Sequence, residues 1–227
     1  MKIIILIPVY NDFQSASKLI EDINSVISNL NHEFSIIIIN DASTDKSEIE
    51  ISSTDKIKSI KIIKMNENRG HARCNASGLK YIFENEEFDY IIPMDGDGED
   101  RPEEIEKFVE FLKYDNTKPI VGERIKRSEG FIFTLSYNIH KLITYIFTGQ
   151  SIKFGNYTCL PKTTVEKMIN EKATWSSFSG SLAKVEKNRS TIPSIRGSRY
   201  FGPSKMSFFN LIKHSLSIIA VFRTNVI

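Results

Sequence analysis

Four short apolar runs rich in β-branched residues punctuate the first half of the chain, at 2–7, 35–40, 60–64 and 89–94. The segments between them place apolar residues at helical spacing. Such runs joined by helices are the pattern of a parallel sheet buried on both faces, so the first half is expected to read β-α-β-α-β-α-β-α. Behind Asp12, a suitable N-cap, residues Ala16, Leu19, Ile20, Ile23, Val26, Ile27 and Leu30 form one helical stripe. Asp100 and Glu103 are spaced as a capping box, Pro102 suits a first turn, and Ile105, Phe108, Val109 and Leu112 supply a buried face. Past residue 120 the alternation weakens. A short strand at 119–122 leads into the basic loop Glu123-Arg124-Ile125-Lys126-Arg127, followed by an aromatic-rich helix at about 131–147. Helical patterns recur near 162–169 and 175–187, a strand fits 190–195, and a last helix fits 206–222. The second half reads as an elaboration of the first rather than a separate module.

With 227 residues, 41% hydrophobic and 26% charged, the chain has the balance of an ordinary globular protein and excludes a disordered or fibrous one. Thirty Lys+Arg against 28 Asp+Glu give a net charge of +2, too near neutrality to imply a nucleic-acid partner. Cys74 and Cys159 stand far apart, which suggests neither a disulfide framework nor a zinc site and fits a reducing, cytoplasmic setting. The apolar opening 3–9 runs into Tyr10-Asn11-Asp12 without a small-residue cleavage site, so it reads as a strand rather than a signal peptide. No window reaches the ~18 consecutive apolar residues a spanning helix needs, and no membrane crossing is expected.

In open parallel sheets ligands bind beyond the carboxyl ends of the strands, and here those ends are polar. They read Pro8-Val9-Tyr10-Asn11-Asp12, Asn40-Asp41-Ala42-Ser43-Thr44-Asp45, Asn66-Glu67-Asn68-Arg69-Gly70 and Asp95-Gly96-Asp97-Gly98-Glu99-Asp100. Two carboxylates at i and i+2 around a glycine can both reach a hard cation such as Mg²⁺ or Mn²⁺ that keeps positions open for diphosphate oxygens. An Asp- and Gly-rich turn is the plainer reading of the same residues. Asp41 stands where an acidic side chain commonly takes ribose hydroxyls or a base edge, although this cluster would serve equally as a helix cap. Arg69 and Gly70 open a helix whose amides attract phosphate; a loop glycine with a solvated arginine is the alternative.

Together these segments resemble glycosyltransferase family 2 of the GT-A fold. The first is similar to its P-x-Y-N-[ED], the second to [VN]-D-[DAG]-S-x-D. Asn68-Arg69-Gly70 with Ala72 and Gly78 is similar to N-x-G-x-[AGS]-x-A-x-N-x-G, with Cys74 and Ala76 departing from it. Asp95 through Glu103 resembles the D-x-D-x-Q-D-x-P-E form found near the dolichyl- and polyprenyl-phosphate sugar transferases, with Glu99 in place of Gln. Val121-Gly122-Glu123-Arg124 and Arg199-Tyr200-Phe201-Gly202-Pro203-Ser204-Lys205 are similar to the G-x-R and R-x-x-G-x-S-K of that branch.

The resemblance implies an α/β, doubly wound, mostly parallel sheet in one continuous domain. Residues 1–125 would form the nucleotide-sugar-binding half and 126–227 an acceptor-side, helical elaboration. It implies a metal-dependent inverting glycosyltransferase whose UDP- or GDP-linked sugar donor is held by Pro8, Tyr10, Asn11, Asp12, Asp41, Arg69, Gly70, Asp95 and Gly96 and whose acceptor is a lipid phosphate or a glycan. Mg²⁺ or Mn²⁺ would sit on Asp95 and Asp97, with Asp97, Asp100 and Arg124 as catalytic residues. Arg124, Arg199, Ser204 and Lys205 would clamp phosphate by charge-assisted hydrogen bonds.

No acidic residue lies between Ser151 and Val165, where many hydroxyl-acceptor members place a general base, so a lipid-phosphate acceptor is favoured over a glycan. Asp100 and Glu123 are the available bases for an alcohol. The 131–147 and 206–222 segments, apolar and flanked by cations, suit either an inner-face membrane surface or packing on the sheet. His71, His140 and His214 lack ligand spacing and read as structural, and Trp175 as a packing anchor at a helix start. Two other functions compete: a non-catalytic sugar-nucleotide or membrane-binding module, and a sugar-nucleotide pyrophosphorylase. The latter would be expected to carry a G-x-G-T-R-like loop after the first strand, which this chain does not have.

Overall fold

The computed structural model describes residues 1–50, 54–126, 152–202, 216 and 220–222. Within them, seven strands form one mixed sheet. They are β1 (Lys2–Val9), β2 (Glu33–Asn40), β3 (Ile57–Lys64), β4 (Tyr90–Pro93), β5 (Ile120–Lys126), β6 (Phe154–Pro161) and β7 (Ser190–Ile195), in the order β3-β2-β1-β4-β6-β5-β7. The β3-β2-β1-β4 block is parallel, β6 runs antiparallel to both β4 and β5, and β7 is parallel to β5. Strands from both sides of residue 126 therefore interleave in the same sheet.

Helices cover both faces. α1 (Phe13–Ile27) and α3 (Glu104–Phe111) bury Leu19, Ile20, Ile23, Ile105 and Phe108 against Ile3, Ile5, Ile7, Ile36 and Ile38. On the other face α2 (His71–Asn85), α4 (Lys162–Asn170) and α5 (Phe178–Val185) pack Leu79, Ile82, Val165 and Leu182 against Ile4, Leu6, Ile37 and Ile39. The alternating isoleucines of β1 and β2 thus feed two cores at once, each buried side chain contributing about 1.5–3 kcal/mol. Gly78 lets α2 approach this sheet, since a Cβ there would run into Leu6 and Ile39.

Four sequence expectations need correction. No helix forms at 41–50 between β2 and β3; side chains satisfy its amides instead, with Asn40 Oδ1 accepting from Ser43 N, Asn11 Oδ1 from Thr44 N and Asp45 N, and Ser17 Oγ from Glu50 N. β3 is a largely exposed edge strand rather than one buried on both faces, and its Lys58, Lys61 and Lys64 are the charges that discourage edge-to-edge pairing. The capping box does not form: α3 begins at Glu104 without a side-chain cap, and Asp12 caps α1 by position only. The 175–187 helix is split, with a short 3-10 turn over Lys172–Trp175 and α5 starting after Ser177, whose Oγ accepts from Gly180 N. The 131–147 helix lies outside the described residues. Of 206–222, Val221 and Phe222 are described as packing into the second core and Leu216 as exposed.

Candidate functional site

The register carries the carboxyl ends of β1, β2 and β4 to one edge of the sheet. Val9 pairs with Asn40, Leu6 with Pro93, and the amides of Asp41 and Met94 donate to Val9 and Leu6 carbonyls. The amino end of β6 and the carboxyl ends of β5 and β7 arrive at the same edge, Glu123 pairing with Phe154 and Arg124 with Ser194.

Asp41 is buried, and its Oδ1 and Oδ2 accept from Arg69 N and Gly70 N, both at 2.8 Å. It therefore caps the entry to α2. The amides of Arg69 and Gly70, expected to face phosphate, bond to Asp41 in this cap, and Arg69's guanidinium pairs with Glu67. Burial and then the Asp41 carboxylate push the Cys74 thiol up to about 12, and burial raises Cys159 as well, so neither thiol is a nucleophile at neutral pH. Asn11, at φ 50, spends its amide oxygen on the 44–45 backbone and its Nδ2 on Thr44, so it ties the β1 and β2 loops together. Tyr10 is exposed at this edge, and Gly96 allows its loop to approach the Pro8 carbonyl.

The centre of the site is the loop from Asp95 to Asp100. Asp97 Oδ1 accepts from Glu99 N (2.9 Å), and the buried Asp100 accepts from Asp95 N (2.9 Å), so Asp100 holds the loop from beneath. A strap leaving β7 runs over it. Gly197 N and Tyr200 N donate to Glu99 and Asp97 carbonyls, Arg196 pairs with Glu99, and Tyr200 Oη donates to Asp22 on α1 at 2.7 Å. The buried Glu104 anchors the root of this strap, accepting from Ser194 Oγ (2.6 Å) and Ile195 N (3.0 Å). Arg199 reaches across, its two terminal nitrogens donating to Asp97 Oδ2 at 2.5 Å and Asp12 Oδ2 at 2.6 Å. Opposite, Asn156 Nδ2 and His71 Nε2 each lie 3.4 Å from Asp95 Oδ1, and Arg124 lies over Gly155 with its charge directed at Asp95 and Asp100.

Of the sequence candidates, Asp12, Asp95, Asp97, Asp100, Arg124 and Arg199 come together here, whereas Ser204 and Lys205 lie outside the described residues. Sequence reading missed Glu104 and Arg196, and it took His71 as structural although its ring stands beside Asp95. The extra charge of Glu99 is matched by Arg196, a pairing 97 residues apart that local pattern does not encode.

Four carboxylates crowd this loop. Burial and then Asp95 push Asp97 up to about 6, and burial and then Asp95 raise Asp100 well above the usual carboxylate range. Burial works against ionised Asp95 too, yet His71, Arg196 and Arg124 together hold it below that range. Such a surplus of hard oxygen donors suits a divalent cation that takes one or two carboxylates and leaves its other positions to substrate oxygens. Among the described residues no group of three or more His, Cys, Asp or Glu is placed to hold a metal ion, so a cation here would rest on two carboxylates and substrate oxygens.

The raised Asp97 has a measurable consequence. The folded chain retains a proton from about pH 6 down towards the unfolded value near 3.8, so this contribution is full at low pH and lost as pH rises through about 6. The cation-free protein is therefore expected to gain about 1 kcal/mol of unfolding free energy between pH 7 and pH 5 in urea titrations. Asp97→Asn should remove most of that gain.

Gly98 sits at φ +86 beneath Tyr200, where a Cβ would enter the aromatic ring. Gly98→Ala is expected to cost about 2–3 kcal/mol of stability, combining left-handed strain with displacement of the strap. In a Tyr200→Ala background only the backbone part, about 1 kcal/mol, should remain.

Comparison with known proteins places these features in context. A family model described as glycosyl transferase family 2 matches residues 4–176. Among solved structures, the chain is similar to glucosyl-3-phosphoglycerate synthase from Mycobacterium tuberculosis, crystallised with Mn²⁺, UDP-glucose and phosphoglyceric acid. That likeness has TM-score 0.68 at 13% identity, over 99% of this chain and 79% of the other. It is also similar to S. aureus TarS 1–349 in complex with UDP-GlcNAc, with TM-score 0.57 at 14% identity, over 96% of this chain and 61% of that one. At these identities the likeness establishes the GT-A architecture.

Proposed function

The chain belongs to glycosyltransferase family 2, and we propose that it transfers a sugar, with inversion, from a nucleoside diphosphate donor to a lipid-phosphate acceptor, using a divalent cation at Asp95 and Asp97. The observation that carries this reading is the Asp95–Asp100 loop, where paired carboxylates meet Arg124 and Arg199 at the carboxyl edge of the sheet. A UDP-linked donor is favoured over a GDP-linked one because both structural neighbours were crystallised with UDP-sugars. A bound cation would supply charge neutralisation for the departing diphosphate.

The chain's own residues do the rest. Asp100 and the Glu99 amide hold the loop so that both carboxylates stay at the edge. Asp41 fixes the turn into α2, leaving its remaining lone pairs for a nucleoside, and Asn11 ties the neighbouring 44–45 loop to the end of β1. Arg124 provides a permanent positive charge for phosphate oxygens. β6 presents Asn156 and no carboxylate towards Asp95, which supports an acceptor that is already anionic and needs no base. Similarity of the 95–103 and 199–205 motifs to the polyprenyl-phosphate branch supports the same choice. No helix among the described residues is long and apolar enough to cross a membrane. A lipid-phosphate acceptor would bring the chain to the inner face of a membrane.

Release of UDP or GDP from UDP-glucose, UDP-GlcNAc and GDP-mannose, measured with Mn²⁺ and with polyprenyl phosphate or a glycan as acceptor, tests the proposal. Cation-dependent release stimulated by the lipid phosphate is expected. Turnover on the glycan alone would refute the acceptor assignment, and nucleotide binding without turnover on any acceptor would indicate a binding module.

A further inference from the structure

The guanidinium of Arg199 sits on the carboxylate of Asp97, one of the two assigned to the cation. It bridges Asp97 and Asp12, residues 102 and 187 positions away in the chain, at 2.5 and 2.6 Å. Its side chain is only 15% exposed, and its Nε is buried with no hydrogen-bond partner among the described residues. This arrangement satisfies the two carboxylates but leaves the arginine one bond short, a state that a second binding partner can improve on.

The strap that delivers it is firmly placed. Glu104 fixes its root, Glu99 pairs with Arg196, and the Tyr200 amide and hydroxyl are tied to Asp97 and α1, so Arg199 is positioned by its neighbours rather than drawn in from solvent. Because the backbone on both sides is held, release of the side chain requires rotation of its own χ angles and no movement of the strap.

We propose that Arg199 stands in for the divalent cation at Asp97, so that cation and arginine compete for Asp97 Oδ2 and the guanidinium, displaced from Asp97, is free for the donor's phosphates. The inference rests on the cation assignment above. It differs from a fixed phosphate clamp in making the arginine weaken cation binding when no nucleotide is present. A structural brace would do the opposite, since its removal would loosen the loop and weaken the cation site.

Mn²⁺ binding followed by loss of the free-ion electron paramagnetic resonance signal separates these. Without nucleotide, Arg199→Gln is expected to bind Mn²⁺ about tenfold more tightly than the natural protein, the effect of removing one charge-assisted competitor. Arg199→Lys, which keeps the charge, should stay near the natural value, and adding Asp97→Asn to Arg199→Gln should abolish the gain. With UDP present the order should narrow, because only the arginine-bearing protein gains a phosphate contact. Unchanged or weaker Mn²⁺ binding by Arg199→Gln overturns the inference. Failure of the natural protein to bind Mn²⁺ even with UDP overturns instead the cation assignment beneath it.

Should Arg199→Gln not fold, the ¹⁵N guanidinium resonances of Arg199 in the natural protein provide the test. Protection of its terminal N–H protons should disappear on saturation with Mg²⁺, and persistence of that protection at saturation refutes competition.

Discussion

Replacing Asp97 by Asn is expected to reduce sugar transfer by about a thousandfold while the protein still folds. Asn keeps the size and the acceptor for Glu99 N but removes the charge that a divalent cation and Arg199 both use. The same change relieves a buried carboxylate that burial and Asp95 hold near pH 6, so thermal stability of the cation-free protein should fall little or rise. Differential scanning fluorimetry gives the accompanying signature: Mn²⁺ with UDP raises the melting temperature of the natural protein, and Asp97→Asn loses that increase. A variant that retained both transfer and the cation-dependent shift would remove Asp97 from the site.

The largest effect on stability is expected at Asp41. Asp41→Ala strips the half-buried amides of Arg69 and Gly70 of their carboxylate acceptor and should cost about 3 kcal/mol in chemical denaturation. Asp41→Asn retains one accepting oxygen and should cost roughly half as much. Were Asp41 solely a nucleoside contact, both variants would raise the donor KM with stability unchanged. A cap that also contacts the nucleoside predicts loss in both readouts, with stability falling even when no nucleotide is present.

These residues show where local pattern was informative and where it was not. β1 and β2 were legible because isoleucine on both faces of a strand has few other uses, and β7 because its short run is bounded by polar residues. β6 was not, since FGNYTCLP contains a glycine and a proline and a single β-branched residue; its place between β4 and β5 comes from tertiary pairing. The polar strand ends pointed to the correct edge of the sheet. The local capping rule put Asp100 on α3, whereas it bonds to Asp95; Asp41, read as a nucleoside contact or a local cap, caps a helix that begins 30 residues later, and Asn11, given to the donor by resemblance, braces a loop. The strap contacts of Arg196, Arg199 and Glu104 span about 90 to 190 residues and depend on how β7 enters the sheet, which no short motif specifies.

The polar edge also explains why so many acidic groups are tolerated together. Arg124 arrives from β5 and Arg196 and Arg199 from the strap beyond β7, so strands late in the chain add positive charge to that of His71 at this edge. Catalytic arrangement and fold are thus linked through one sheet.

Anomalous scattering from crystals grown with Mn²⁺ and UDP interrogates the cation site itself. The expected map has a manganese peak in contact with carboxylate oxygens of Asp95 and Asp97 and with the nucleotide's phosphates. UDP bound at the same sheet edge with no manganese peak there, or with the peak on other side chains, would contradict it.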